Sequence, residues 1–201
     1  MDEEIRKSWE RFLNPEILRN NLICASVYIA SYEILKTAII SQIKSFFTHS
    51  YDESGAKISP EYKQHVLDKN RSTLHASLLW LKEMDAIDDE DISTFKKIKN
   101  CRNELSHCLY EMVSTDGLPE NFVELYQLMI VLLTKIDQWW ATEVLIPCDP
   151  IFDNETIKKE EILTGNMMAI QLLLDIALNV DSDAHRYYDH FKQKATSPPS
   201  A

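Results

Sequence analysis

The chain has 201 residues, 45% of them hydrophobic, a formal net charge of −11 and only three glycines. The hydrophobic content is sufficient for a folded core, and the scarcity of glycine argues against both a loop-rich fold and a phosphate-cradling loop. The negative charge disfavours broad electrostatic binding to nucleic acid or to an anionic membrane, so any such contact must be local.

The spacing of apolar residues predicts helices along most of the chain. The predicted helices cover about 3–13, 16–47, 60–85 with a bend near Asn70, 89–113 and 120–145. A helical region at about 154–180 follows, with a split expected near Gly165-Asn166. The polar segment 48–59 and the break Asp116-Gly117-Leu118-Pro119 are typical of connections. We therefore expect an all-α protein, an up-and-down bundle of four to six helices.

The same pattern predicts a single domain over residues 1–190. Its core is expected over about 16–145, with a C-terminal helical extension at about 154–190 and a disordered tail at 191–201.

Residues 22–47 and 167–180 are the most apolar, but Glu33 and Lys36 interrupt the first and Asp175 the second, so both are predicted to be buried helices. The charged start lacks an apolar signal, and the four cysteines form no CxxC pair. A cytoplasmic protein without membrane contact is expected.

The predicted helix 89–113 has two different faces when each residue is turned by 100°. One face is an apolar stripe that contains Ile98, Cys101, Leu105, Cys108, Leu109 and Met112. The other face, called here the polar arc, contains Lys96, Lys99, Arg102, Asn103, Ser106, His107 and Tyr110. All charged groups of the polar arc are basic although the protein is acidic, and its histidine lies away from the apolar stripe. These features favour a binding or catalytic surface over an ordinary solvated face.

The stretch Arg102-Asn103-x-x-x-His107 resembles the Rx4–6H motif of the HEPN superfamily, in which asparagine often follows the arginine. This superfamily contains helical ribonucleases and defence-associated proteins. The resemblance implies a HEPN-like fold, catalytic roles for Arg102, Asn103 and His107, and a site formed across a pair of domains. In one toxin branch a tyrosine stands two residues after the histidine, whereas this chain has Leu109 there and Tyr110 one position later.

These residue types suit RNA cleavage, because RNA carries its own nucleophile in the 2′-hydroxyl and no metal is required in principle. Histidine can act as general acid or base, and arginine can stabilise the charge that develops on the phosphate. Lys96, Lys99, Ser106 and Tyr110 are the candidate substrate-binding residues. One helix supplies one histidine, so a homodimer with a composite site would provide both an acid and a base.

The sequence therefore predicts a metal-independent endoribonuclease without a cofactor, and the resemblance implies a role in a bacterial stress, toxin–antitoxin or antiviral system, with an antitoxin or regulatory protein as a possible partner. Two alternatives remain. The first is a catalytically inactive HEPN-like dimer that binds RNA, a nucleotide or a protein partner through the same face. The second is a structural or regulatory bundle in which Arg102 and His107 make surface contacts only.

Overall fold

The computed structural model describes residues 3–53, 55–112, 117–152, 157–178 and 185–196. The helices in chain order are α1 (Glu3–Leu13), α2 (Pro15–Phe46), α3 (Pro60–His65), α4 (Thr73–Glu83), α5 (Asp89–His107), α6 (Leu109–Glu111), α7 (Phe122–Trp140), α8 (Ile146–Cys148), α9 (Gly165–Leu178) and α10 (Arg186–Thr196). Strands β1 (Thr48–Asp52) and β2 (Gly55–Ile58) form an antiparallel hairpin. A π-helical turn, Ala141–Leu145, joins α7 to α8. The expected all-α helical bundle is confirmed.

Helix α2 is the centre of the bundle, and α4, α5, α7 and α9 pack around it. It begins sharply because the side chain of Asn14 accepts hydrogen bonds from the backbone N–H groups of Glu16 and Ile17, with Pro15 in the first turn. Its fully buried side chains include Tyr28, Leu35, Ile39 and Ile43. Among the described residues, α2 alone is long and apolar enough to cross a membrane, a test that the core helix of a globular protein also passes.

Several connections differ from the sequence prediction. The segment 48–59, expected to be an irregular loop, contains the β-hairpin. The helix predicted at 60–85 with a bend near Asn70 is divided there into α3, a 3-10 turn at Leu67–Lys69 and α4, because Asn70 adopts an extended backbone and Ser72 caps α4. The helix predicted at 89–113 is interrupted at Cys108, whose backbone leaves the helical region. Helix α10 continues through residues 191–196 of the expected tail, and residues 197–201 lie outside the described residues.

A buried carboxylate, Asp137 of α7, joins three helices. It is 2% exposed and accepts hydrogen bonds from Gln42 Nε2 of α2 at 3.3 Å, from Thr164 Oγ1 at 2.6 Å and from Asn166 Nδ2 at 3.2 Å. Thr164 Oγ1 in turn accepts the backbone N–H of Met167 and so caps α9. The C-terminal extension is thereby fixed to the bundle by polar contacts as well as by apolar packing.

We expect Asp137→Ala to lower the free energy of unfolding by about 2–4 kcal/mol, because it leaves three donors without their buried acceptor. Urea unfolding followed by circular dichroism measures the change. The control is Asp68→Ala, which removes an exposed carboxylate 3.9 Å from Lys63 and should change stability by less than about 0.5 kcal/mol. Equal effects of the two substitutions would contradict the assigned role of Asp137.

Candidate functional site on helix α5

The cap of α5 and its buried positions determine which face of the helix is exposed. Asp88 and Asp91 form a reciprocal capping box, in which each side chain accepts the other residue's backbone N–H. Lys135 of α7 binds both carboxylates. The buried positions of α5 are Ile92, Phe95, Ile98, Cys101 and Leu105. The polar arc therefore faces outward from Lys96 onward, whereas Cys108, expected in the apolar stripe, is exposed at the helix end.

Arg102 is held in one orientation by groups of α2. Its Nη2 donates to Glu33 Oε1 at 2.7 Å, and its guanidinium carbon lies 5.2 Å from the ring centroid of Tyr32. Its Nη1 donates to Asn103 Oδ1 at 3.3 Å. The side chain retains 29% exposure, so it is anchored without being buried completely. An arginine with a fixed position and an exposed edge is suited to binding a phosphate.

Glu33 connects this arginine to a second cation. Its Oε2 accepts from Lys36 Nζ at 2.9 Å, while Oε1 accepts from Arg102. The hydrogen bond from Lys36, together with that from Arg102, lowers the pKa of Glu33 below its ordinary value. The group formed by Glu33, Lys36 and Arg102 carries a net charge of +1. A locally positive surface is thus maintained on an acidic protein.

Tyr32 of α2 provides the aromatic ring over which the Arg102 guanidinium lies. Its ring is almost completely buried against Phe95 of α5, at a centroid separation of 6.0 Å. Burial raises the pKa of the Tyr32 hydroxyl, which therefore stays neutral under ordinary conditions. The aromatic face thus attracts the guanidinium without adding a negative charge.

His107 is the last residue of α5, and its side chain is exposed. The imidazole has no hydrogen bond or ion pair with any other described residue, in contrast to Arg102. Asn103 lies one turn earlier on the same side of the helix, but its side-chain oxygen binds Arg102. The sequence leaves open whether Asn103 orients His107 or the phosphate, and in the single chain its side-chain oxygen contacts the arginine.

The candidate substrate-binding residues occupy different environments. Lys96 and Lys99 are exposed on α5, and neither forms an ion pair within the part of the chain that the structure describes. Ser106 donates its hydroxyl to the backbone oxygen of Arg102 at 2.9 Å, so this hydroxyl proton is already used within the helix. Tyr110 of α6 is 71% exposed, and its ring edge contacts Phe12 of α1 at a centroid distance of 6.3 Å.

The polar arc is an open surface in the single chain. Arg102 and His107 line none of the main cavities of the described residues. These lie beside α1, beside α7 at the connection between α4 and α5, between α7 and α9, and near the ends of α2 and α7. No group of three or more His, Cys, Asp or Glu side chains suited to a metal ion occurs in the described ranges. A cleft around a phosphodiester would thus need a second surface, such as the same face of another copy.

Sequence reasoning missed Tyr32, Glu33 and Lys36 as parts of this site. Glu33 and Lys36 were visible as charges within the most apolar helix, where they argued only against a membrane span. A charged pair inside a predicted core helix also indicates a neighbouring polar surface, and this was the available signal. No sequence pattern links these residues to Arg102, which is 69 positions from Glu33.

Comparison with known proteins gives no relative for this chain: no family model, no curated protein and no solved structure matches it. The HEPN resemblance therefore rests on the motif at 102–107 and on the helical architecture.

We expect Glu33→Gln to reduce the free energy of unfolding by about 0.5 kcal/mol at pH 7, because Arg102 and Lys36 lose a partly exposed carboxylate. The pKa of Glu33 is lowered in the folded state, so its contribution is complete above the unfolded value of about 4.3 and disappears as the pH falls through the lower folded value. Urea unfolding of the parent and the variant at pH 7 and pH 3 tests this.

The control for this comparison is Glu53→Gln, at an exposed glutamate of the hairpin turn. Its effect should be small at both pH values. If Glu33→Gln still has a lower free energy of unfolding than the parent at pH 3, packing rather than charge explains the result.

Proposed function

We propose that this chain is a metal-independent endoribonuclease of the HEPN type that acts as a homodimer. The observation that carries the proposal is the arrangement of Arg102 and His107. The arginine is fixed by Glu33, Asn103 and Tyr32, while the histidine is exposed on the same helix and has no partner among the described residues. A fixed cation and an exposed acid–base group on one helix are the two kinds of group that phosphodiester cleavage needs.

In the proposed reaction the RNA 2′-hydroxyl attacks the adjacent phosphorus, and the bond to the 5′-oxygen breaks. One His107 accepts the 2′-hydroxyl proton, and its counterpart in the second subunit donates a proton to the leaving oxygen. Arg102 donates hydrogen bonds to the non-bridging oxygens as their negative charge increases. The products are a 2′,3′-cyclic phosphate and a 5′-hydroxyl end. No external water or metal is needed for this step.

The surrounding residues would bind the RNA strand on either side of this phosphate. Lys99 and Lys96, about one and two turns before the motif, would contact neighbouring phosphates, and the exposed ring of Tyr110 would stack on a base. Because the whole chain carries a charge of −11, binding would depend on this local surface and fall steeply with salt. The biological setting suggested by the resemblance is a bacterial stress, toxin–antitoxin or antiviral system.

The first test is cleavage of total RNA by the purified chain in the presence of EDTA, with mass analysis of the new ends. His107→Ala should reduce the cleavage rate by about 10²- to 10⁴-fold, the usual contribution of a general acid or base. Its matched control is His65→Ala, because His65 is also an exposed histidine at the end of a helix. That control should retain the parent rate.

Unaltered cleavage by His107→Ala, or products that lack the cyclic phosphate, would contradict the proposed mechanism. Circular dichroism of both variants checks that the fold is unchanged. Because the side chain of His107 is exposed, its removal should leave the fold intact, and lost activity would then not be due to unfolding.

A second prediction follows from the composite site. The specific activity should fall on dilution, because a monomer contains one His107 and one Arg102 and cannot supply both an acid and a base. Sedimentation at matched concentrations gives the dimer fraction, which should run parallel to the activity. Full activity of a monomeric species would exclude the composite site.

One observation favours a second function, an inactive module that binds RNA, a nucleotide or a protein partner. Glu33 already accepts a hydrogen bond from Nη2 of Arg102. Its negative charge reduces the stabilisation that the guanidinium can give to a negatively charged transition state. Such a module would bind RNA through the same face without cleaving it, and Arg102→Ala would weaken binding. Cleavage by the parent chain decides between these functions.

A further inference from the structure

Helix α1 has an apolar stripe that is exposed in the single chain. Ile5, Trp9 and Leu13 recur every four residues, so they lie on one side of the helix, and they are 51%, 53% and 68% exposed. A groove of about 690 Å³ adjoins the stripe, and residues 14–16 at the start of α2 line it together with Trp9 and Leu13. The apolar face of an amphipathic helix normally packs against another element, and here most of that face does not.

The stripe is large enough for a weak specific contact. The exposed parts of its three side chains amount to roughly 300–400 Å², a patch size that often marks an interaction surface. Two copies that met through the stripe would bury about twice that area, and the flanking charged side chains bring the total to about 1,000 Å², the lower limit for a specific interface. A contact of this size is expected to dissociate on dilution.

The charge of α1 favours a second copy of the chain as the partner. The whole chain carries −11, but within α1 the three glutamates are balanced by two arginines and one lysine. Two acidic copies therefore meet with least repulsion through this neutral helix. An anionic lipid surface would be repelled by the rest of the chain, and α1 lacks the excess of basic residues that is typical of membrane-surface helices.

The flank of the stripe is complementary to itself. Arg6 and Glu10 lie there as an exposed ion pair at 3.4 Å. Two antiparallel copies of α1, related by a two-fold axis near residue 8, would place Arg6 of each copy opposite Glu10 of the other. Because a helix rises about 1.5 Å per residue, Ile5, Trp9 and Leu13 of the two copies would then alternate along the contact and interdigitate.

The stripe also adjoins the candidate site. The ring of Phe12 contacts Trp9 at a centroid separation of 6.2 Å and Tyr110 at 6.3 Å. Tyr110 lies three residues after His107, the last residue of α5. A contact between two α1 helices would therefore lie next to the end of α5 in each copy.

We propose that α1 is the surface through which two copies of this chain pair, with the two helices antiparallel across a two-fold axis. The inference rests on the proposed function in one respect, because a composite site needs a second copy. It goes further by assigning the contact to the stripe of Ile5, Trp9 and Leu13 and to the flank formed by Arg6 and Glu10.

The first test is sedimentation of the full chain over a range of concentrations. Trp9→Glu should weaken the dimer by at least about 100-fold, because it places a charge at the centre of the contact in both copies. The control is Tyr51→Glu, since Tyr51 of the hairpin is also an exposed aromatic residue. That control should dimerise like the parent, and circular dichroism checks that both variants are folded.

The second test exchanges the flanking charges. Arg6→Glu and Glu10→Arg should each weaken the dimer by about ten-fold, because positions 6 and 10 then carry like charges across the axis. An equal mixture of the two variants should dimerise as tightly as the parent, since each charge again faces its opposite. Failure of the mixture to recover would overturn the antiparallel pairing.

Other outcomes also decide the question. A monomeric parent, or a Trp9→Glu variant that dimerises like the parent, would overturn the proposal. Binding of a monomeric chain to phosphatidylcholine vesicles that is lost in Trp9→Glu would overturn it as well, because lipid would then cover the stripe. Pairing through α1 without RNA cleavage would support this inference and contradict the proposed nuclease. Cleavage by a dimer that survives Trp9→Glu would do the reverse.

Discussion

The packing of helix α2 against the rest of the bundle is the constraint on which the structure depends. Its buried face supplies Tyr28, Leu35, Ile39 and Ile43 to the core. Apolar burial of this kind is the main favourable term in folding, and it fixes the rotation of the helix about its own axis. Once that rotation is fixed, every polar residue of α2 has a determined direction. The contact between Glu33 and Arg102 is one consequence of this geometry.

Near its middle, α2 directs Glu33 toward α5, where the carboxylate meets Arg102. An arginine on a surface helix would otherwise sample many rotamers and lose entropy on binding a phosphate. The carboxylate and the ring of Tyr32 remove much of that freedom before a ligand arrives, at the expense of part of the positive charge. Glu33 therefore reduces the positive potential of the site but orders the Arg102 side chain. The positive charge of Lys36 offsets part of the negative charge of Glu33.

The helical class, the long central helix and the outward face of α5 were predictable because each follows from local periodicity. The bounds of α2 differ from the prediction by one residue, since Asn14 and Pro15 are strong start signals. The hairpin at 48–58 was missed because its strands are short and mostly exposed, without alternating apolar residues. The interruption at Cys108 was missed because the apolar spacing continues through it.

Contacts between distant segments could not be derived in this way. Glu33 and Arg102, or Gln42 and Asp137, are brought together by the packing of whole helices, which one sequence does not specify. The motif at 102–107 was visible because its residues are close along the chain. The partners that orient it lie on another helix.

The amide of Gln42 also limits which residues can occupy position 42. Glutamate has the same shape, but it would place a second carboxylate about where the amide nitrogen now lies, 3.3 Å from Asp137 Oδ1. Two carboxyl groups at that separation share a proton instead of ionising together. A single nitrogen-for-oxygen exchange would thus replace a neutral donor by a second ionisable group at the contact between α2 and α7.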